Sequence, residues 1–199
     1  TSYRLAFSGR ANHAGTTPMA ARRDAGLGAA GFILAARKLV MEAFPGCVAN
    51  VGMLRLEPGA FNIIPGRAEL ALECRADAPE VLERLQASLL ESAAREAERY
   101  GLGLEVTPLS RDAPAPMSQP VQQAIESAAA DLGLSTQRMP SGAGHDAQNL
   151  ALVCPTGMIF IPSVDGISHS PQETSRWEDC LNGANVLLGA ALRLAQNTR

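Results

Sequence analysis

The chain is poor in cysteine and aromatics, has no long apolar run, and carries no excess of positive charge. Its four cysteines, Cys47, Cys74, Cys154 and Cys180, are far apart and never form a C-x-x-C pair. That excludes a disulfide-stapled scaffold and fits reduced thiols, each packed as a small hydrophobe, in a cytoplasmic protein. No stretch reaches about 18 uninterrupted apolar residues and no basic-then-apolar leader opens the chain, so neither a membrane span nor a secretion signal is expected. With 17 Lys+Arg against 20 Asp+Glu, nothing here matches the charge of a phosphate backbone, and nucleic acid is not an expected partner. What remains is an ordinary globular composition, 46% apolar and 19% charged over 199 residues, enough for two small domains with a core each.

Tyr3, Leu5 and Phe7 already alternate with Arg4, Ala6 and Ser8 behind a first residue that is Thr1. The chain therefore reads as starting inside a strand, as a portion of a longer protein would. Residues 20–43 are Ala-rich and helical in spite of Gly26, Gly28 and Gly31, and residues 47–56 read as a second strand. Glu57-Pro58-Gly59 and Pro65-Gly66 break the chain, after which Leu70, Leu72 and Cys74 alternate with Glu69, Glu73 and Arg75 in a half-buried strand. Asp77 and Glu80 have the spacing of a capping box, and Leu82, Leu85, Leu89 and Ala93 predict an amphipathic helix to about Tyr100. Leu102, Leu104 and Val106 alternate in a fourth strand. Four one-sided strands and two helices predict an α+β domain over residues 1–113, a ferredoxin-like βαββαβ two-layer sandwich with the far sheet face open.

The proline-rich stretch 110–120 reads as a linker. Residues 114–199 then alternate in α/β fashion: Ser118 as N-cap of a helix over 119–132, a short strand near 135–139, a helix from His145 to Leu150, a strand at 157–161 and a helix from Trp177 to Gln196. Two strands cannot build a sheet covered on both faces, so this second domain is expected to be incomplete.

Three histidines, His13, His145 and His169, all lie in Gly- or Ser-punctuated segments rather than in periodic ones, the setting in which function concentrates. His145 is either oriented by the neighbouring Asp146 or followed by Asp146 as a helix cap. His169 has Glu173 four residues on. There is no H-x-x-x-H, H-E-x-x-H, G-x-S-x-G or P-loop, so local motifs alone supply neither a complete metal site nor a nucleophile. Arg75 either pairs with Glu69 or Glu73 on its strand or serves as a fork for a carboxylate. Asn62 is either an ordinary turn residue or a carboxamide donor.

Together the segments Gly9 to Met19 with Arg22 and Asp24, Asn62-Ile63-Ile64-Pro65-Gly66 with Arg75, Ser141 to Ala147, and Ile167 to Glu173 with Glu178-Asp179 resemble the M20 family of metal-dependent amidohydrolases. The resemblance is to its N-carbamoyl-L-amino acid hydrolase and allantoate amidohydrolase branch. It implies that residues 1–113 are a lid that also mediates homodimerisation, and that 114–199 are the carboxy-terminal part of the catalytic domain. It implies hydrolysis of a carbamoyl or ureido C–N bond in a small acidic substrate. His13 and Asn62 would hold the substrate and its developing oxyanion, Arg75 would take the carboxylate, and His169 would bind one of two divalent metals (Zn, Mn, Ni or Co). Lid residues of this kind commonly serve the neighbouring subunit's active site.

The remaining metal ligands and the general base of such a site have no counterpart here, so the chain alone is expected to be inactive. An aminoacylase or dipeptidase of the same family, or a non-catalytic dimerisation or ligand-binding module, are the competing readings. One geometric difficulty is visible in advance. A plain hairpin turning at Pro65-Gly66 would pair Arg75 near Leu56 and leave Asn62 roughly 20 Å away along the strand, so residues 57–66 must fold back if both are to touch one ligand.

Overall fold

The computed structural model describes residues 1–196. The chain divides into two compact units, Thr1–Pro114 and the residues from Ala115 onward. In the first unit, strand β1 (Ser2–Ser8), helix α1 (Ala25–Ala43), strand β3 (Val48–Glu57), strand β5 (Arg67–Arg75), helix α2 (Pro79–Arg99) and strand β6 (Gly103–Ser110) follow the expected strand–helix–strand–strand–helix–strand order. Two very short strands, β2 (Asn12–His13) and β4 (Ile63–Ile64), interrupt it. The main sheet runs β3-β5-β1-β6, and each neighbouring pair is antiparallel.

The alternation in β5 is complete. Ala68, Leu70, Leu72 and Cys74 are buried while the residues between them stay half-exposed. Across the register, Leu5 stands opposite Leu70 and Phe7 opposite Ala68, so these side chains share the face on which α1 and α2 lie. Phe7, Phe32, Leu5, Leu70, Leu72, Leu85 and Leu89 are fully buried, and each such side chain contributes roughly 1.5–3 kcal/mol by leaving water. The ring of Phe7 meets that of Phe32 at 6.4 Å, tilted by 41°. The other sheet face is lined by charges paired in place, Arg4 with Glu69 at 3.3 Å and Arg75 with Glu73 at 2.6 Å.

Helix α1 starts later than its alanine content suggests. Asp24 is the N-cap, its carboxylate accepting the Gly26 N–H at 2.9 Å, and residues 19–21 form a separate short 3-10 turn. Gly28 and Gly31, unfavourable in an isolated helix, allow Leu102 and Glu96 to lie directly against α1. The capping box at Asp77 and Glu80 does not form. Ala78 is the N-cap, without a side-chain bond, and Pro79 starts α2 instead, since its fixed φ and missing N–H suit the first helical position.

The second unit holds α3 (Gln119–Asp131), the single turn α4 (Ala147–Leu150) and α5 (Trp177–Gln196). Its small core joins Ala128, Ala129, Val186 and Ala190, and Arg193 pairs with Asp131 across α3 and α5. The strands expected at 135–139 and 157–161 are not formed among the described residues. A strand exists only through a neighbour that accepts its ladder bonds, and the described residues of this unit offer none. The apolar run is used otherwise: Ile159 packs on the Ala128 cluster, and Ile161 lies against Gly183 of α5. Leu152, Val153 and Trp177 are 82%, 80% and 82% exposed. The cysteines also differ from expectation: Cys74 is buried, Cys47 and Cys180 are half-buried, and Cys154 is exposed, because it follows α4 outside any packed face.

Candidate active site

Where β1 ends, the chain is held by two backbone bonds, Gly9 N–H to Gly66 O and Arg10 N–H to Arg23 O, both 2.8 Å. A Cβ at Gly9 would stand 2.0 Å from the Arg23 carbonyl oxygen, so only glycine permits this exit. The strand then continues as β2, which pairs antiparallel with β4: Asn12 opposite Ile64 and His13 opposite Ile63. The Ala14 N–H extends the ribbon by donating to the Asn62 carbonyl at 2.9 Å. This is the fold-back that 57–66 required, closed at its base by Gly66 N–H to Glu57 O at 2.9 Å. His13 and Asn62 thereby occupy adjacent stations of one exposed ribbon, with Asn62 in the turn from Ala60 to Ile63.

The imidazole of His13 is oriented by its own loop. Its Nδ1 accepts the Gly15 N–H at 3.0 Å, and an accepting nitrogen carries no proton, so the neutral ring is assigned its proton on Nε2. The ring thus presents an outward N–H donor. Asn12 Oδ1 accepts the His13 N–H at 2.9 Å, and the Thr17 hydroxyl donates to the His13 carbonyl at 2.8 Å. Arg22 clamps the same turn, its Nε donating to Thr17 O at 3.1 Å and its Nη2 to Ala14 O at 2.6 Å. The sequence reading assigned no role to Arg22 or Asp24; their place in the motif was the only signal.

Arg75 lies elsewhere in the same chain. It is opposite Val48 and not near Leu56, because the hairpin is centred on the 58–66 excursion rather than on Pro65-Gly66. Eight residue steps of strand lie between it and Arg67, about 26 Å at ~3.3 Å per step, and it is at Arg67 that β5 adjoins the ribbon. Its Nε and Nη2 both donate to Glu73 Oε1, at 3.1 and 2.6 Å. Within one chain the structure brings His13 and Asn62 together and leaves Arg75 at the far end of the sheet.

His169, in the second unit, is exposed and has φ +57°, a left-handed conformation uncommon for a residue with a Cβ. Its N–H donates to Glu173 Oε2 at 2.8 Å, which holds the turn and leaves the ring outside that bond. His145 differs from both readings of it. Its Nδ1 accepts the Ala147 N–H at 3.1 Å, so the imidazole itself satisfies the start of α4, and Asp146 makes no cap bond. Among the described residues, no group of three or more His, Cys, Asp or Glu is placed to hold a metal ion.

The fold defines a class: an α/β protein whose antiparallel sheet domain carries a short two-stranded ribbon that brings His13 and Asn62 side by side. The chain belongs to Peptidase family M20/M25/M40, which matches residues 10–193. It is 39% identical over 193 residues to the N-carbamoyl-L-amino acid amidohydrolase of Geobacillus stearothermophilus, covering 97% of this chain and 47% of that protein. It is likewise 39% identical over 200 residues to the ureidoglycolate hydrolase of Oryza sativa subsp. japonica (98% and 40%), and 30% identical over 193 residues to the allantoate amidohydrolase of Escherichia coli (97% and 47%). Its structure is similar to that of an amidase of the hydantoinase/carbamoylase family from Burkholderia multivorans, with TM-score 0.87, 39% identity, and 95% and 46% coverage. The resemblance to this branch of the family is borne out. The chain spans about half the length of the curated relatives it matches.

Proposed function

We propose that this chain is the lid and carboxy-terminal catalytic portion of an amidohydrolase that cleaves the carbamoyl or ureido C–N bond of N-carbamoyl-L-amino acids or allantoate-like acids. The observation that carries the reading is the 2.9 Å bond from Ala14 N–H to Asn62 O, which sets Asn62 beside an imidazole whose free nitrogen is a donor. When water adds to a carbamoyl carbon, negative charge collects on the former carbonyl oxygen. The Nε2–H of His13 and the carboxamide N–H of Asn62 are donors suited to that oxygen. Arg75 takes the substrate carboxylate bidentately, exchanging its bond with Glu73 for one to the ligand.

Because His13 and Arg75 stand at opposite ends of one sheet, one pocket receives His13 and Asn62 from one chain and Arg75 from the partner chain of a homodimer. The edge strand β3 supports this contact: Val48, Met53, Leu54 and Leu56 on it, with Leu34 and Met41 on α1, are exposed apolar residues. The unpaired thiols fit a reducing cytoplasm, and no described helix is long and apolar enough to cross a membrane.

His169 fits one position of a binuclear centre of Zn, Mn, Ni or Co, being an exposed imidazole on a turn already held by Glu173. The other ligands come from residues outside this chain, in keeping with the apolar surface that the second unit leaves uncovered. Bound there, a divalent metal supplies polarisation of the carbonyl and a more acidic water.

The test is ammonia release from N-carbamoyl-L-amino acids and allantoate, with each metal, by the chain extended by the sequence encoded upstream of Thr1. Turnover that falls by about 10²–10³ in His13→Ala and in Asn62→Ala is expected. No turnover of either substrate class, or full activity in both variants, rejects the reading.

A further inference from the structure

The ribbon has a second face. On it lies a cavity of about 340 Å³ lined by Arg10, Arg22 and Arg23 together with Asn12, Thr16 and Thr17, and by no aspartate or glutamate. Asn12 and Ile64 are cross-strand partners and both line it. His13 is the next residue along, and successive side chains of a strand point to opposite faces, so its imidazole is on the other side. The cavity is therefore separate from the donor face that serves the proposed reaction.

Its charge is uncompensated. On the open sheet face Arg4, Arg55, Arg67 and Arg75 each pair with a glutamate, whereas Arg10, Arg22 and Arg23 have no ion-pair partner among the described residues. Two of them are nonetheless held in place. Arg22 is fixed by the carbonyls of Ala14 and Thr17, and Arg23 by the carbonyl of Gly101 at 2.6 Å. Three arginines line this one concavity; like charges so gathered raise one another's energy, and an anion bound there reverses that cost. Little side-chain entropy is lost on binding where two of the three are already anchored.

We propose that this cavity is a binding site for a small free oxyanion of the sulfate or phosphate type. Arg10 is its mobile arm and Arg22 its link to the turn that carries His13. The proposal does not depend on the hydrolytic reading, because its test reads binding alone.

The experiment is titration of the 199-residue chain with sodium sulfate, and separately with sodium phosphate, against sodium chloride at matched ionic strength, followed by amide NMR shifts. Saturable one-to-one shifts confined to Arg10, Asn12, Thr16, Thr17, Arg22 and Arg23 are expected with at least one oxyanion. Arg10→Gln, which removes a side chain with no described bond, is expected to weaken binding by about tenfold or more while leaving the thermal midpoint in chloride unchanged. Arg37→Gln on α1, also without an ion pair, is expected to change nothing. If Arg10→Gln lowers that midpoint, Arg23→Gln carries the same comparison. Shifts that chloride reproduces, or affinity retained in the folded variant, overturn the proposal.

Discussion

The Gly15 N–H stands 3.0 Å from Nδ1 of His13, and this one bond decides which nitrogen of the exposed ring is left to act. A loop two residues long is enough to set the tautomer, because a backbone N–H can only donate and the ring must answer with its unprotonated nitrogen.

Nitrogen-15 NMR of the neutral chain is therefore expected to show His13 as the Nε2–H tautomer. Gly15→Pro deletes the donor and is expected to move the ring toward a mixture of both tautomers. An unchanged tautomer in Gly15→Pro would show that the loop bond does not orient the imidazole.

Gly9→Ala places a methyl 2.0 Å from the Arg23 carbonyl oxygen, at the crossing where β1 gives way to the ribbon. Backbone cannot yield as a side chain does. The substitution is expected to lower unfolding free energy by about 1–3 kcal/mol in urea denaturation; a loss below the error of that measurement would mean that the crossing is loose.

Burial raises the Cys74 thiol above its ordinary 9.0, with Glu73 and Cys47 adding to the effect. Burial likewise raises the Tyr3 phenol above 10.0, with Cys74 adding to it. In both cases the folded chain holds its proton after the unfolded chain has released it, so the unfolded state binds fewer protons and stability falls as pH rises. The contribution of these two groups to stability is therefore expected to be constant below the ordinary thiol range and to decline from about pH 9 upward. In Cys74→Ala the decline is expected to be shallower, whatever the variant's stability at pH 7. Urea midpoints across that range decide it, and an equal slope in both proteins would refute the assignment.

The β3 edge makes a statement about assembly. Edge strands that expose apolar residues pair with another chain unless a charge prevents it. Light scattering is expected to show a dimer for this chain and a monomer for Met53→Lys combined with Leu54→Lys. A wild-type monomer at every concentration would end both the homodimer and the shared pocket.

The main elements of the first unit were legible because their periods are strong. β5 buries every second residue from Ala68 to Cys74, and α2 buries Leu82, Leu85, Leu89 and Ala93 as their spacing predicts. The ends were less legible. Asp77 and Glu80 have the letters of a capping box, but Pro79 competes for the same turn and wins. The run 157–161 is apolar and β-prone, yet a strand is a relation between two segments, and no second segment pairs with it among the described residues.

The candidate site divides in the same way. The resemblance to the family singled out His13, Asn62, Arg75 and His169, whose residue types can offer donors, a carboxylate fork and a metal ligand, while the residues by themselves left Asn62 and Arg75 open between ordinary and functional readings. Whether they meet was not in the spacing. Asn62 reaches His13 because the 58–66 excursion folds β4 onto β2, and Arg75 is carried away by the same excursion, which resets the β3 to β5 register and puts it opposite Val48. Amino-acid order alone determined which faces are apolar and which side chains have chemistry to offer, since both are properties of residues and their period. Only the tertiary structure decided which of them are neighbours, because register and strand order depend on backbone hydrogen bonds, and every residue except proline brings the same N–H and C=O to those.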